Sequence, residues 1–235
     1  MKRIFITGDI HGSFTRIKQI KNFCKEKGTS KEDVLILLGD VGANYTLDER
    51  DIQFKEALSS LPITIVCIHG NHEERPANIS SYQLVKHGIL GEAECWIEYD
   101  FPNILFPKDG IINIFGKKCL ILGGAYSVDK WYRKMNGLAW FPEEQMSIKE
   151  QNRILSLLDK ENRFDYVFSH TCPSGFMPKH LFLGCVDQNS VDKTMEYFLQ
   201  EVYNKIEFKE WFFGHYHSDE SNEKMRLLFN TIIEL

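Results

Sequence analysis

Seven short apolar runs, each ended by a glycine or a polar residue, set the tightest limit on what this chain folds into. They are Ile4–Ile6, Val34–Leu38, Ile63–Ile68, Cys119–Leu122, Tyr166–Phe168, Trp211–Phe213 and Leu227–Phe229. Their residues are largely β-branched or aromatic, and Thr64 is the one polar residue inside them. Such runs suit strands buried on both faces, where the usual alternation is lost. The stretches between them carry helical spacing. From Ser13, apolar Phe14, Ile17, Ile20 and Cys24 recur every three or four residues, with Arg16, Lys18, Lys21 and Lys25 between them. That pattern predicts an amphipathic helix with a basic, solvated outer face. Further helices are predicted over Glu143–Leu158 and over Ser190–Ile206, the latter with Val191, Met195, Phe198, Leu199, Val202 and Ile206 on one stripe. The chain therefore opens β-α-β-α-β. Hairpin-like strands are predicted around Asn103–Leu122, which makes the class mixed α/β. No Pro/Gly/Ser-rich or low-complexity tract divides the chain, so residues 1–235 are read as one domain.

Composition narrows the partners. The chain has 28 basic and 33 acidic residues, a net charge of −5, and 43% hydrophobic residues. A chain of this kind is globular rather than disordered, and it lacks the basic balance of a protein that grips long nucleic acid without regard to sequence. Its six cysteines form no CxxC pair, so neither a disulfide framework nor a structural zinc site is expected. The apolar stretch near Met1 is too short for a secretion signal, and no run approaches the ~18 apolar residues of a membrane span. A cytoplasmic location without membrane contact is expected.

The chemistry-bearing residues stand where the apolar runs stop. These are Gly8-Asp9-Ile10-His11-Gly12, Gly39-Asp40-Val41-Gly42, Gly70-Asn71-His72-Glu73, Ser169-His170-Thr171 and Gly214-His215-Tyr216-His217. Five of the eight histidines fall in these five loops. Taken singly, a Gly-Asp pair is an ordinary turn and a lone histidine an ordinary polar residue. Five such loops, all at strand ends, can form one cluster, because ligands in α/β folds bind outside the carboxyl ends of strands. Imidazole and carboxylate together favour Mn²⁺, Fe, Zn²⁺ or Ni²⁺ over Mg²⁺ alone. The spacing in Asp9-x-His11 and His215-x-His217 places both side chains on one side, provided the segments are extended.

These five blocks, present in order from Asp9 to His217, resemble the calcineurin-like metallophosphoesterase superfamily, whose pattern is D-x-H, G-D, G-N-H-[DE], a lone His and G-H-x-H. The resemblance implies two mixed β-sheets packed as a sandwich with flanking helices, and a two-metal centre at one end. It implies one ion held by Asp9, His11, Asp40 and His217. A second would be held by Asp40, Asn71, His170 and His215, with Asp40 between the two. The implied cofactors are two divalent ions, manganese first, with Fe, Zn or Ni as alternatives. The implied reaction is hydrolysis of a phosphomonoester or phosphodiester by hydroxide generated at the metals, with His72 assisting the leaving group.

One departure bears on the substrate. Protein serine/threonine phosphatases of this superfamily continue the second block as G-D-x-V-D-R-G, whereas Ala43 and Asn44 stand here in place of the aspartate and arginine. That counts against a protein-phosphatase-type site, and equally against a symmetrical dinucleoside tetraphosphate hydrolase. It leaves the residue that orients His72 open among Glu73, Glu74 and Asp48. Two loops offer substrate-side groups. In Gly123–Arg133, Tyr126, Lys130 and Arg133 could stack a base and hold a second phosphate. In Thr171–His180, Lys179 and His180 could overhang the metals. The expected substrate is a phosphorylated small molecule, a nucleotide or a nucleic-acid end. A phosphatase restricted to monoesters is the alternative, and a non-catalytic scaffold of the same fold the third, disfavoured because every ligand position and His72 are intact.

Overall fold

The computed structural model describes residues 2–235. Its first half runs β1 (Ile4–Thr7), α1 (Phe14–Lys27), β2 (Val34–Leu37), α2 (Glu49–Ser59), β3 (Thr64–Cys67), β4 (Tyr82–His87), β5 (Ala93–Glu98) and β6 (Ile104–Pro107). The second half runs β7 (Gly110–Ile114), β8 (Lys117–Leu122), α3 (Lys130–Met135), α4 (Ile148–Leu158), β9 (Arg163–Ser169), α5 (Thr194–Lys205), β10 (Glu207–Phe213), β11 (Glu220–Asn222), β12 (Met225–Leu227) and β13 (Ile233–Glu234). One sheet has the order β13-β1-β2-β3-β6-β5-β4 and the other β11-β12-β10-β9-β8-β7. In the first, β1, β2, β3 and β6 are parallel, the edge strand β13 pairs antiparallel with β1, and β5 pairs antiparallel with both β6 and the edge strand β4. In the second, β8, β9, β10 and β12 are parallel, flanked by antiparallel β7 and β11.

The continuous apolar runs have a direct cause in this layering. Successive strand residues point to opposite faces. Phe5, Leu35, Leu37, Ile65 and Cys67 pack on Ile17 and Ile20 of α1 and on Phe54 and Leu58 of α2. The alternate residues Ile6, Val34, Ile36 and Val66 meet Ile121, Phe168 and Phe212 of the other sheet. On that sheet's far face, Leu120, Val167, Trp211 and Phe213 pack on Ile154 of α4 and on Met195, Leu199 and Val202 of α5. Both faces of each central strand are therefore apolar. Every fully buried Leu or Ile contributes about 1.5–3 kcal/mol. The architecture is the expected pair of mixed sheets with flanking helices. No described helix is long and apolar enough to cross a membrane.

Four local expectations need correction. The helix predicted from Glu143 begins at Ile148, because the Ser147 side chain accepts the Glu150 N–H and caps it there. The helix predicted from Ser190 begins at Thr194. The strands around Asn103–Leu122 do not stay together: β6 inserts between β3 and β5, whereas β7 and β8 form a hairpin on the second sheet. Arg16 does not belong to the solvated face of α1. It folds back, donating to Thr7 Oγ1 at 3.1 Å and to the Phe229 carbonyl at 3.0 Å.

Candidate metal centre

The loops that leave β1, β2, β3, β9 and β10 meet at one edge of the sandwich. His170 Nδ1 lies 2.7 Å from the Leu38 carbonyl, the Gly214 N–H donates to the His170 carbonyl at 2.9 Å, and the His215 N–H donates to Asp9 Oδ1 at 3.0 Å. The first and third bonds tie the ends of one sheet to the ends of the other, and the second joins the ends of β9 and β10 within one sheet. Close packing here depends on missing side chains. A Cβ on Gly39 would overlap the His170 ring, and one on Gly70 would overlap Asp40.

The convergence does not come from extended segments. His11, Asp40, His215 and His217 have φ of 47°, 46°, 70° and 51°. Both D-x-H and H-x-H are therefore left-handed turns, and the alternation argument from spacing does not apply. Left-handed backbone at four non-glycine residues is strain of the kind that gathers at functional sites.

Asp9 and Asp40 are buried. Asp9 Oδ2 has no hydrogen-bond partner among the described residues, while His217 Nε2 and His11 Nε2 stand 3.3 and 3.6 Å from it. The Nε2 atoms of His11 and His217 are themselves 2.8 Å apart. Potential ligand atoms of Asp9, His11 and His217 lie within 4.8 Å of one another, and so do those of Asp9, Asp40 and His170. Asp9 thus belongs to both groups, and Asp40 also reaches His11 Nδ1 at 3.8 Å. Asn71 Oδ1 sits 2.9 Å from His170 Nε2, and its amide nitrogen donates to Ser127 Oγ at 2.9 Å. An unpaired buried carboxylate oxygen and two imidazole nitrogens that face each other fit a divalent cation.

The charges in the cluster are interdependent. Burial works against a charged His170, but the Asp40 charge and hydrogen bond, joined by Asp9, push its pKa up to about 9. Burial likewise opposes ionisation of Asp40, yet His170 above all, then His72 and His11, hold it well below the ordinary carboxylate range. Burial and the neighbouring His170 push His215 down to about 3, so it is neutral and free to act as a ligand. The nearby Asp9 carboxylate raises His217.

His72 sits at the open side, half-buried, and its backbone N–H donates to Asp40 Oδ1 at 2.8 Å. Burial lowers its pKa, Asp40 opposes the shift, and Arg133 reinforces it. None of the three groups expected to orient it makes a hydrogen bond to its ring. Glu73 is wholly buried and accepts the Gly70 N–H at 2.8 Å; burial and Asp40 push it up to about 8. Glu74 accepts from Arg75 and Asn78, and Asp48 caps α2. The group beside the imidazole is Arg133, with Nη2 3.5 Å from His72 Nε2. Asp129 at 2.7 Å, the Tyr45 hydroxyl at 3.0 Å and the Ala139 carbonyl at 3.3 Å fix the guanidinium. Asn44 turns away and accepts from the Tyr82 hydroxyl at 2.9 Å.

The other expected substrate groups divide. Tyr126 lines the cavity that opens from the cluster. Lys130 does not line it, since its amine lies over the Trp140 ring, 4.3 Å from the centroid. His180 pairs with Glu220 at 3.0 Å and lines a separate cleft beside Phe213, and Lys179 is exposed. Sequence reasoning missed Ser127, Asp129 and Tyr45. Ser127 and Asp129 share a loop with Tyr126, but nothing local marks either as a support.

The model that describes the calcineurin-like phosphoesterase family matches residues 2–219. Among curated proteins, none matches the chain. One solved crystal structure superposes with a TM-score of 0.55 at 13% identity, over 97% of this chain and 89% of its own. The protein TT1561 of Thermus thermophilus does so with a TM-score of 0.53 at 11% identity, over 99% of this chain and 97% of its own. At these identities the likeness is one of fold. A phosphopantetheinyl hydrolase from Mycobacterium tuberculosis aligns with a TM-score of 0.49 at 12% identity, over 97% of this chain and 88% of its own.

Proposed function

This chain belongs to the calcineurin-like phosphoesterase family, which implies metal-dependent hydrolysis of phosphate esters, and we propose that it cleaves a phosphomonoester or phosphodiester at a pair of divalent cations. Asp9, His11, Asp40 and His217 would hold one cation, and Asp40, Asn71, His170 and His215 the other. Their imidazole and carboxylate donors suit Mn²⁺ first, with Fe, Zn²⁺ or Ni²⁺ as substitutes. When bound, such ions supply positive charge to the phosphate oxygens and lower the pKa of a water. The observation that carries this reading is two overlapping ligand groups with His72 and Arg133 on the open side.

The protein's own groups have separate tasks. The Leu38 carbonyl and the Asn71 side chain fix the His170 ring, and Ser127 fixes Asn71. His72 would give a proton to the leaving oxygen as the imidazolium, the form that the negative charge of a bound phosphate beside it favours. Arg133 is braced by Asp129 and Tyr45, so its guanidinium can meet a phosphate oxygen without first losing conformational freedom. It supplies from α3 the cation that Asn44 does not.

A hydrolysis screen tests this. The Mn²⁺-loaded protein is offered p-nitrophenyl phosphate, bis-p-nitrophenyl phosphate, cyclic nucleotides and a phosphopeptide. Turnover should require metal, and His72→Ala should lower it by about 10²–10⁴ with metal content unchanged. Asp40→Asn should lower occupancy of both cations. No turnover with any metal, or full turnover in His72→Ala, would refute the assignment.

A further inference from the structure

The ligand cluster forms only one end of a larger cavity of about 290 Å³. Asp40, Asn71, His72, His215 and His217 close that end. Much of the remaining wall is apolar: Met177, Leu181, Phe182, Leu183, Val186 and Val191 all come from the long connection between β9 and α5. Connections longer than about 12–15 residues without strands or long helices are uncommon in compact domains and are commonly functional. Val128 and Tyr126 stand on the same wall, as does Tyr216, whose ring lies near-parallel to that of Phe182 (20°, centroids 6.3 Å apart).

A phosphate held among the ligands needs none of these side chains. The charged groups on the wall do not suit a second phosphate either. The Lys193 amine donates to the Gln188 carbonyl at 2.7 Å. Glu196 is 5% exposed, its Oε1 takes the Thr171 hydroxyl, and its Oε2 has no partner among the described residues. Asp129 adds another carboxylate. An anionic extension would meet two carboxylates and an amine already in use. A neutral apolar one would meet aliphatic and aromatic surface.

We infer that the chamber beside the metal centre receives the organic group of the substrate, and that this group is small, uncharged and apolar, with a planar ring as its best fit. The inference rests on the phosphoesterase reading and deepens it. The volume lies near the lower end of small-molecule sites, about 300–1,000 Å³, so it suits a compact ester rather than a folded phosphoprotein or a duplex.

Calorimetric titration of the Mn²⁺-loaded protein with methylphosphonate and phenylphosphonate, which are not hydrolysed, tests it. Phenylphosphonate should bind at least tenfold more tightly. Equal affinities would overturn the inference and leave the phosphoesterase reading standing. Failure of both to bind, together with no turnover, would remove that reading instead. Two variants locate the preference. Val191→Trp fills the chamber, and Leu183→Glu charges its rim, where Leu183 is 59% exposed and its replacement does not threaten the fold. Each should remove the phenyl preference while keeping the methylphosphonate affinity. A preference retained in both would place the ring elsewhere and overturn the inference.

Discussion

Loading the metal centre should expel a proton from His170. Without metal, both of its ring nitrogens face oxygens: Nδ1 the Leu38 carbonyl at 2.7 Å, and Nε2 the Asn71 carbonyl at 2.9 Å with Asp40 Oδ1 at 3.5 Å. Only an imidazolium satisfies both. Burial opposes that charge, but Asp40 and Asp9 overcome it and set the pKa at about 9. A cation that takes Nε2 must displace the proton. At pH 7 the gap is about two pH units, so the apparent affinity should be about 100-fold below that of the deprotonated site, or about 2.7 kcal/mol. The affinity should rise about tenfold per pH unit between pH 6.5 and 8.5, more steeply if His217 also loses a proton. The sign for the metal-free fold is the reverse. A histidine with a raised folded pKa contributes stability that is complete below its unfolded value, near 6.5, and is lost as pH rises through about 9. The assay is calorimetric titration with Mn²⁺ at pH 7 in two buffers of different ionisation enthalpy. About one proton should be released per protein at this site. Release near zero, or an affinity that does not change with pH, would refute the reasoning.

Other predictions follow from particular contacts. Gly70→Ala would push a methyl into the Asp40 backbone and carboxylate; metal content measured by mass spectrometry should fall at least tenfold with far-UV circular dichroism preserved. Arg133→Lys keeps the charge but loses the fork that Asp129 and Tyr45 hold; kcat/KM should fall tenfold or more, and a value equal to wild type would remove its role. Trp211→Phe deletes the fully buried bond from Nε1 to Ser169 Oγ at 2.7 Å; urea unfolding should show a loss of about 2 kcal/mol, and no change would show that this bond does not hold the His170 loop. Lys55→Ala leaves Glu98 without its buried partner, the two side chains being only 6% and 11% exposed; a loss of about 3 kcal/mol is expected by the same method.

The parts of the fold that were legible are the ones buried on both sides. β1, β2, β3, β8, β9 and β10 all announce themselves as apolar runs, because each packs against a helix layer and against the opposite sheet; the run Leu227–Phe229 overlaps β12 only at Leu227, since Arg226 in that strand pairs with Glu210. The β4–β5 hairpin does not. It lies at a sheet edge, its Gln83, Lys86 and Glu94 are exposed, and its apolar run Cys95-Trp96-Ile97 is bracketed by Glu94 and Glu98. β6 was visible as a strand, but nothing local says that it leaves β7 and β8 for the other sheet.

The candidate site divides along the same line. Sequence alone determined which residues stand at the strand ends, because strand termination and turn formation depend on near neighbours and on residue type. Asp9, His11, Asp40, Asn71, His170, His215 and His217 are therefore marked by the sequence itself. Only the tertiary structure decided which atoms face one another. Arg133 meets His72 across 61 positions, Ser127 supports Asn71 across 56, and the apolar wall beside the candidate metal centre comes from a connection with no periodic pattern. The left-handed turns at His11, His215 and His217 belong to the same category. At these three positions the strained backbone goes with contacts between loops far apart in sequence, such as the His215 N–H to Asp9 Oδ1, and no window of local sequence contains those contacts.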